Sequence, residues 1–186
     1  MAARTIDVIL TEINTFIVAN STFASSTFHT MAELQEDRNG NVWPMSRINN
    51  RQGKAISPQD TDEMQFYHRL IDQTVEPDDY YRGTSNYQTV SWQMQLVGVG
   101  FRRKLAISLP INNNIDYCSD VQEILAKNGR LAGKERVMVI SADANKESVL
   151  GEEYPGNDKI LKLKLELFAF SIQYTILQRT IGNSCD

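Results

Sequence analysis

Cysteine and histidine are scarce in this chain, with two of each in 186 residues. Neither histidine, His29 or His68, stands near Cys118 or Cys185, so the ligand spacing of a structural zinc site and the CxxC redox pair are both missing. Two unpaired thiols fit a reducing compartment. Met1-Ala2-Ala3-Arg4 leads into an amphipathic stretch rather than the continuous apolar run of a signal peptide, which reads as a protein made and kept in the cytoplasm. Long hydrophobic runs are absent too. The most apolar window, Leu161 to Leu177, is interrupted by Lys162, Lys164, Glu166 and Gln173, well short of the ~20 apolar residues that span a bilayer, so no membrane partner is expected. Positive charge is in deficit: 19 Lys and Arg against 23 Asp and Glu give a formal charge of -4, which excludes a global attraction to nucleic acid and leaves room only for a local patch.

The familiar motifs of catalysis and cofactor binding are likewise missing. No GxSxG element marks a nucleophilic serine, and no GxxxxGK[ST] loop is present to cradle phosphates. Gly98-Val99-Gly100 lacks the third glycine and the strand-turn-helix setting of a dinucleotide loop. No cofactor is expected. What remains is an ordinary globular composition, 41% apolar and 9% aromatic, in a length that suits one domain over 1-186.

Hydrophobic spacing outlines the elements. Ile6, Ile9, Leu10, Ile13, Phe16 and Ile17 recur at helical intervals, with Thr5 at the N-cap position and Asp7 favourably placed against the helix dipole. Thr27 to Leu34 reads as a strand. Asn39-Gly40 supplies the positive-φ residues of a tight hairpin, so Val42-Trp43-Pro44-Met45 should return antiparallel, as an edge strand because Pro44 has no N–H to donate. The polar run from Asn49 to Thr61 predicts an exposed loop, and Glu76 to Gly83 a second irregular stretch. A second, short helix starts at Asn114 or Asp116, turns Cys118, Val121, Ile124 and Leu125 inward, and stops at Asn128-Gly129. Val137 to Ile140 is a buried strand, followed by a helical turn around Glu147 to Leu150.

Two segments alternate with a shift of phase. Val90, Trp92, Met94 and Leu96 share a face, after which Val97, Val99 and Phe101 become the apolar set, which predicts a bulge near Leu96-Val97. In the last segment Leu161, Leu163, Leu165 and Leu167 give way to Phe168, Phe170, Ile172, Tyr174 and Ile176. A continuous strand from Ile160 to Leu177 would span roughly 60 Å at about 3.3 Å per residue, so it must bend or project beyond the domain. Projecting apolar strands aggregate unless covered, so Trp92, Met94, Phe168, Phe170 and Tyr174 are candidate subunit-interface residues. The alternative is a strand bending over its own sandwich-like core. The fold class expected is α+β: an antiparallel or mixed sheet of long, bulged strands packed by the N-terminal helix and the second, short one.

For chemistry, Asp143, Glu147, Glu152 and Glu153, with Asp78-Asp79 upstream, are the acidic residues with which a small metal-dependent hydrolase would hold a divalent cation. Solvated acidic loops account for the same pattern, and Cys118 reads as an inert core thiol on a helix face. Arg102-Arg103-Lys104 is the tight basic cluster of the chain. On a ring it would line a lumen and face DNA phosphates; otherwise it is a solvated strand end.

The order helix, hairpin, polar loop, long strand, short helix, strand, long strand resembles that of neck proteins of tailed bacteriophages, the tail-terminator and head–tail connector ring proteins, crAss-like phages included. The likeness rests on Thr5 to Phe16, on Tyr80-Tyr81-Arg82-Gly83 leading to Trp92-Gln93-Met94-Gln95-Leu96-Val97, and on Val137-Met138-Val139-Ile140 through Gly151-Glu152-Glu153-Tyr154 into the final strand. It implies a virion structural protein without catalysis, assembled in the host cytoplasm as a hexameric or dodecameric ring that joins head to tail. Its partners would be further copies of itself and the neighbouring neck, portal-side or tail proteins, with DNA only passing through. Closed rotational symmetry then requires a heterologous interface. A soluble adaptor for a protein partner is the other non-enzymatic reading.

Overall fold

The computed structural model describes residues 4–20, 23–48, 51–58, 64–77, 87–101, 114–162 and 167–181. In chain order the elements are α1 (Ile6–Val18), β1 (Thr27–Glu36), β2 (Val42–Ile48), β3 (Arg51–Ala55), β4 (Met64–Pro77), β5 (Tyr87–Phe101), α2 (Asn114–Lys127), β6 (Arg136–Asp143), α3 (Lys146–Glu153), α4 (Asp158–Lys162) and β7 (Leu167–Ile181). The strands form one seven-stranded mixed sheet in the order β3-β2-β1-β4-β5-β7-β6. β1 and β4 run parallel and the other neighbours antiparallel, so the fold is α+β with a mixed sheet.

Both faces of the sheet are covered, by different helices. Ile9, Leu10, Ile13 and Ile17 of α1 and Tyr117, Cys118, Val121 and Leu125 of α2 bury against Phe66, Met94, Leu96, Phe168, Phe170, Ile172, Tyr174 and Ile176 on one face. Val149, Leu150, Tyr154 and Ile160 from α3 and α4 bury against Tyr67, Val97, Val99, Leu167 and Ala169 on the other. At about 1.5–3 kcal/mol for each large apolar side chain removed from water, these two layers dominate the stability. They also replace the bulge expected at Leu96-Val97. β5 pairs with β7 without a register shift from Tyr87↔Ile181 to Phe101↔Leu167, and the apparent change of phase is the point where the second face also becomes buried. Gly98 lies between Phe66 and Phe170 on the neighbouring strands, whose rings close over it; a Cβ there would stand 2.8 Å from the Phe170 ring.

Further expectations need correction. The polar run 49–61 contains β3, which pairs with β2 from Met45↔Ala55 to Ile48↔Arg51. Its residues carry no apolar alternation because it is the outermost strand, held by backbone bonds alone. β2 is therefore internal in spite of Pro44. The Pro44 carbonyl accepts from Ile56 N–H at 2.8 Å, just past the end of β3, so the missing donor faces the outer side of the strand where pairing with β3 has stopped. The final strand begins at Leu167, not Ile160. Gly156 at φ +69° and Asn157, whose Oδ1 accepts from Ile160 N–H at 3.4 Å, start α4 instead and bury Ile160 as part of a helix. α2, expected to be short, has 14 residues against 13 in α1. The hairpin at Gly40 (φ +80°) and the N-terminal helix lie where expected, although the Thr5 side chain makes no capping bond.

Candidate functional site

β4, β5 and β7 have 14, 15 and 15 residues, about three times the length over which β1 stays paired with β4. The last β1–β4 pair is Met31↔His68. Beyond it β4 continues with β5 on one side and no strand on the other, and all eight residues from Leu70 to Pro77 are exposed. The opposite margin of the same four-strand block is β6, the terminal strand of the sheet, eight residues long. The chain therefore presents two open backbone edges on either side of the block β4-β5-β7-β6.

Each edge carries a bulge whose extra residue is an exposed isoleucine. On β4 the register shifts between Leu70 and Asp72, leaving Ile71 unpaired and 50% exposed. On β6 it shifts between Val139 and Ser141, leaving Ile140 unpaired and 59% exposed. Val75 and Met138 add exposed apolar surface at 52% and 50%. The charges are of opposite sign. Asp72 and Glu76 stand on the β4 edge, and Arg136 on the β6 edge faces Arg130 across an isolated antiparallel bridge. Like charges set directly opposite each other are unfavourable, and none of these four side chains has an ion-pair partner among the described residues.

The five residues expected at a subunit interface are instead inside the subunit. Trp92 is 8% exposed, Phe168 2%, and Met94, Phe170 and Tyr174 are fully buried, all against α1 and α2. Their alternation is real, but the surface it faces is the chain's own helical layer. Arg102, Arg103 and Lys104 lie outside the described residues, as do Asp78 and Asp79.

The buried polar groups are built into the packing. The His68 ring lies wholly inside, between Tyr174 Oη at 2.7 Å from Nδ1 and Asn14 Oδ1 at 2.8 Å from Nε2. The Asn14 amide donates onward to the His29 carbonyl at 3.3 Å, which turns its Oδ1 toward the histidine and makes Nε2 the protonated nitrogen. Burial lowers the His68 pKa from 6.5 to about 3, so the ring is neutral. Glu153 is also fully buried; it accepts from Tyr67 Oη at 2.9 Å and pairs with Arg69. Burial raises its carboxyl, opposed by Arg69 and the tyrosine. Arg4 bridges Glu12 at 2.6 Å and the buried Glu135 at 3.1 Å, tying the N-terminal segment to the loop before β6.

Of the candidate acidic residues, Asp143 accepts from Asn145 N–H at 2.7 Å, and Asn145 in turn caps α3 through Glu147 N–H and Ser148 N–H. Glu153 faces inward to Arg69, away from the exposed Glu147 and Glu152. Among the described residues no group of three metal-ligating side chains converges. The Cys118 thiol is buried and pushed up to about 11 by desolvation and by Asp143. Among the described residues no helix is long and apolar enough to cross a membrane. The sequence signal that points to the exposed edges is slight: Ile71 and Ile140 are apolar residues out of phase with their strands.

Comparison with models of known protein families gives no match. No curated protein sequence matches the chain either.

Proposed function

We propose that this chain is a structural subunit that closes into a ring through a head-to-tail interface, in the neck or at the tail end of a tailed bacteriophage, joining head to tail around the DNA conduit. The observation that carries the self-assembly is the pair of open, partly apolar strand edges on opposite margins of one rigid sheet. Both cores are filled by the chain's own helices, so exposed Leu70, Ile71, Val75, Met138 and Ile140 have no role in the folded monomer. Two different surfaces on opposite margins suit a heterologous contact, and rotation that closes gives a ring. The placement in a phage neck rests on the likeness of element order described above, and the α+β architecture is compatible with it. Native mass spectrometry over a rising concentration series tests the reading. A discrete closed oligomer, a hexamer or dodecamer, is expected; a strict monomer at every concentration overturns it.

A further inference from the structure

We infer that the ring contact is a strand pairing between copies of this chain, with β6 of one copy lying antiparallel against residues 70–77 of β4 in the next. The inference rests on the ring reading and names the residues of its interface.

The sheet registers define which side chains share a face. The rows Thr74–Ser91–Leu177–Arg136 and Asp72–Gln93–Thr175–Met138 lie on one face, and Gln73–Trp92–Ile176–Val137 on the other. Glu76, opposite Thr89 and so in the row of Arg179, shares the face of Arg136. β6 runs antiparallel to β7, which is antiparallel to β5, which is antiparallel to β4; β6 is thus antiparallel to β4 of its own copy. A neighbour placed edge to edge in the same orientation therefore presents its β4 antiparallel to this β6, the direction in which edge strands pair readily.

Face matching then limits the register. Placing Arg136 opposite the neighbour's Glu76 sets Val137 opposite Val75, Met138 opposite Thr74 and Ser141 opposite Asp72. Every pair falls on a common face. The same register brings the two bulges alongside each other, so that Ile140 and Ile71 cover one another. It also sets the uncompensated Arg130–Arg136 pair beside Glu76, turning a like-charge contact into an ion-pair cluster. Both edges are eight residues long. Bulges and charges blunt an edge against indiscriminate pairing; here they are complementary between the two margins, which favours this partner over others.

The experiment combines charge exchange with cross-linking in the full-length chain. Glu76→Arg and Arg136→Glu are each expected to raise the concentration at the midpoint of assembly about tenfold or more, and the two together in one chain to restore it. The variant carrying Thr74→Cys and Met138→Cys, with Cys185→Ser, is expected to oxidise to a ladder of covalent oligomers that ends at the ring size. Either cysteine alone gives no ladder, because the contact joins unlike edges. Circular dichroism unchanged from the parent shows that the exposed substitutions leave the fold intact. If the parent chain forms rings while the charge variants assemble normally and the double-cysteine variant stays uncrosslinked, the strand pairing is overturned and the ring reading stands. If the parent chain is monomeric throughout, both are overturned.

Discussion

Lowering the pH from 7 to 5 should weaken the fold through one residue, His68. Its ring is fully buried, with Nε2–H bonded to Asn14 and Nδ1 accepting from Tyr174, and the hydroxyl of Tyr174 is itself pushed well above its ordinary range by burial and stays a donor. Neither ring partner is a carboxylate that would stabilise an imidazolium. The folded pKa is about 3 and the ordinary value 6.5, so between these pH values the unfolded chain binds the proton that the folded chain refuses. Stability is fully present above pH 6.5 and falls as the pH drops toward 3, by about 2 kcal/mol at pH 5 and about 5 kcal/mol by pH 3. Glu153 acts in the opposite sense, because burial raises its carboxyl and acidification relieves that cost. The comparison that isolates His68 is therefore urea unfolding of the parent and of His68→Asn at pH 7 and pH 5. The variant is expected to start less stable, having lost a packed ring, but to lose about 2 kcal/mol less than the parent over that interval. Equal losses in the two proteins would refute the reasoning, and so would a His68 ring resonance that titrates near pH 6.5 in the folded protein.

Gly98→Ala should destabilise the fold by about 1–3 kcal/mol in urea unfolding, because the added Cβ meets the Phe170 ring at 2.8 Å and Phe66 blocks the other direction. Phe170→Ala, which removes a fully buried ring packed against Phe66 and Phe168, should cost about 3–5 kcal/mol; a folded, equally stable subunit that merely fails to assemble would contradict its place in the core. At pH 8 the Cys118 thiol, held up to about 11, should resist alkylation in the folded protein and react on unfolding, which mass spectrometry of the labelled cysteine reads out.

Helix α1, helix α2 and the Asn39-Gly40 hairpin were legible because their signals are local. Apolar spacing of three and four residues, a turn that needs positive φ and a helix stop at Asn128-Gly129 hardly depend on distant neighbours. β3 was not legible, since Arg51 to Ala55 has neither apolar alternation nor propensity, and only the backbone of β2 makes it a strand. The two phase shifts were visible as patterns but carried the wrong cause. In β5 the sheet is buried on both sides around Leu96 to Val99, and in the last segment a helix, α4, precedes the strand.

The candidate interface shows the same division. Alternation at Trp92, Met94, Phe168, Phe170 and Tyr174 determined by itself that these residues face something apolar, but whether that is a partner or the chain's own helices depends on where α1 and α2 land. Ile71 and Ile140 look unremarkable in sequence. They become exposed apolar residues on open edges only once β1 parts from β4 after His68 and β6 takes the end of the sheet. Element type and inward face follow from short-range periodicity. Strand order, and with it which edges stay open, is decided by contacts between residues as far apart as Glu76 and Arg136, whose juxtaposition no local pattern encodes.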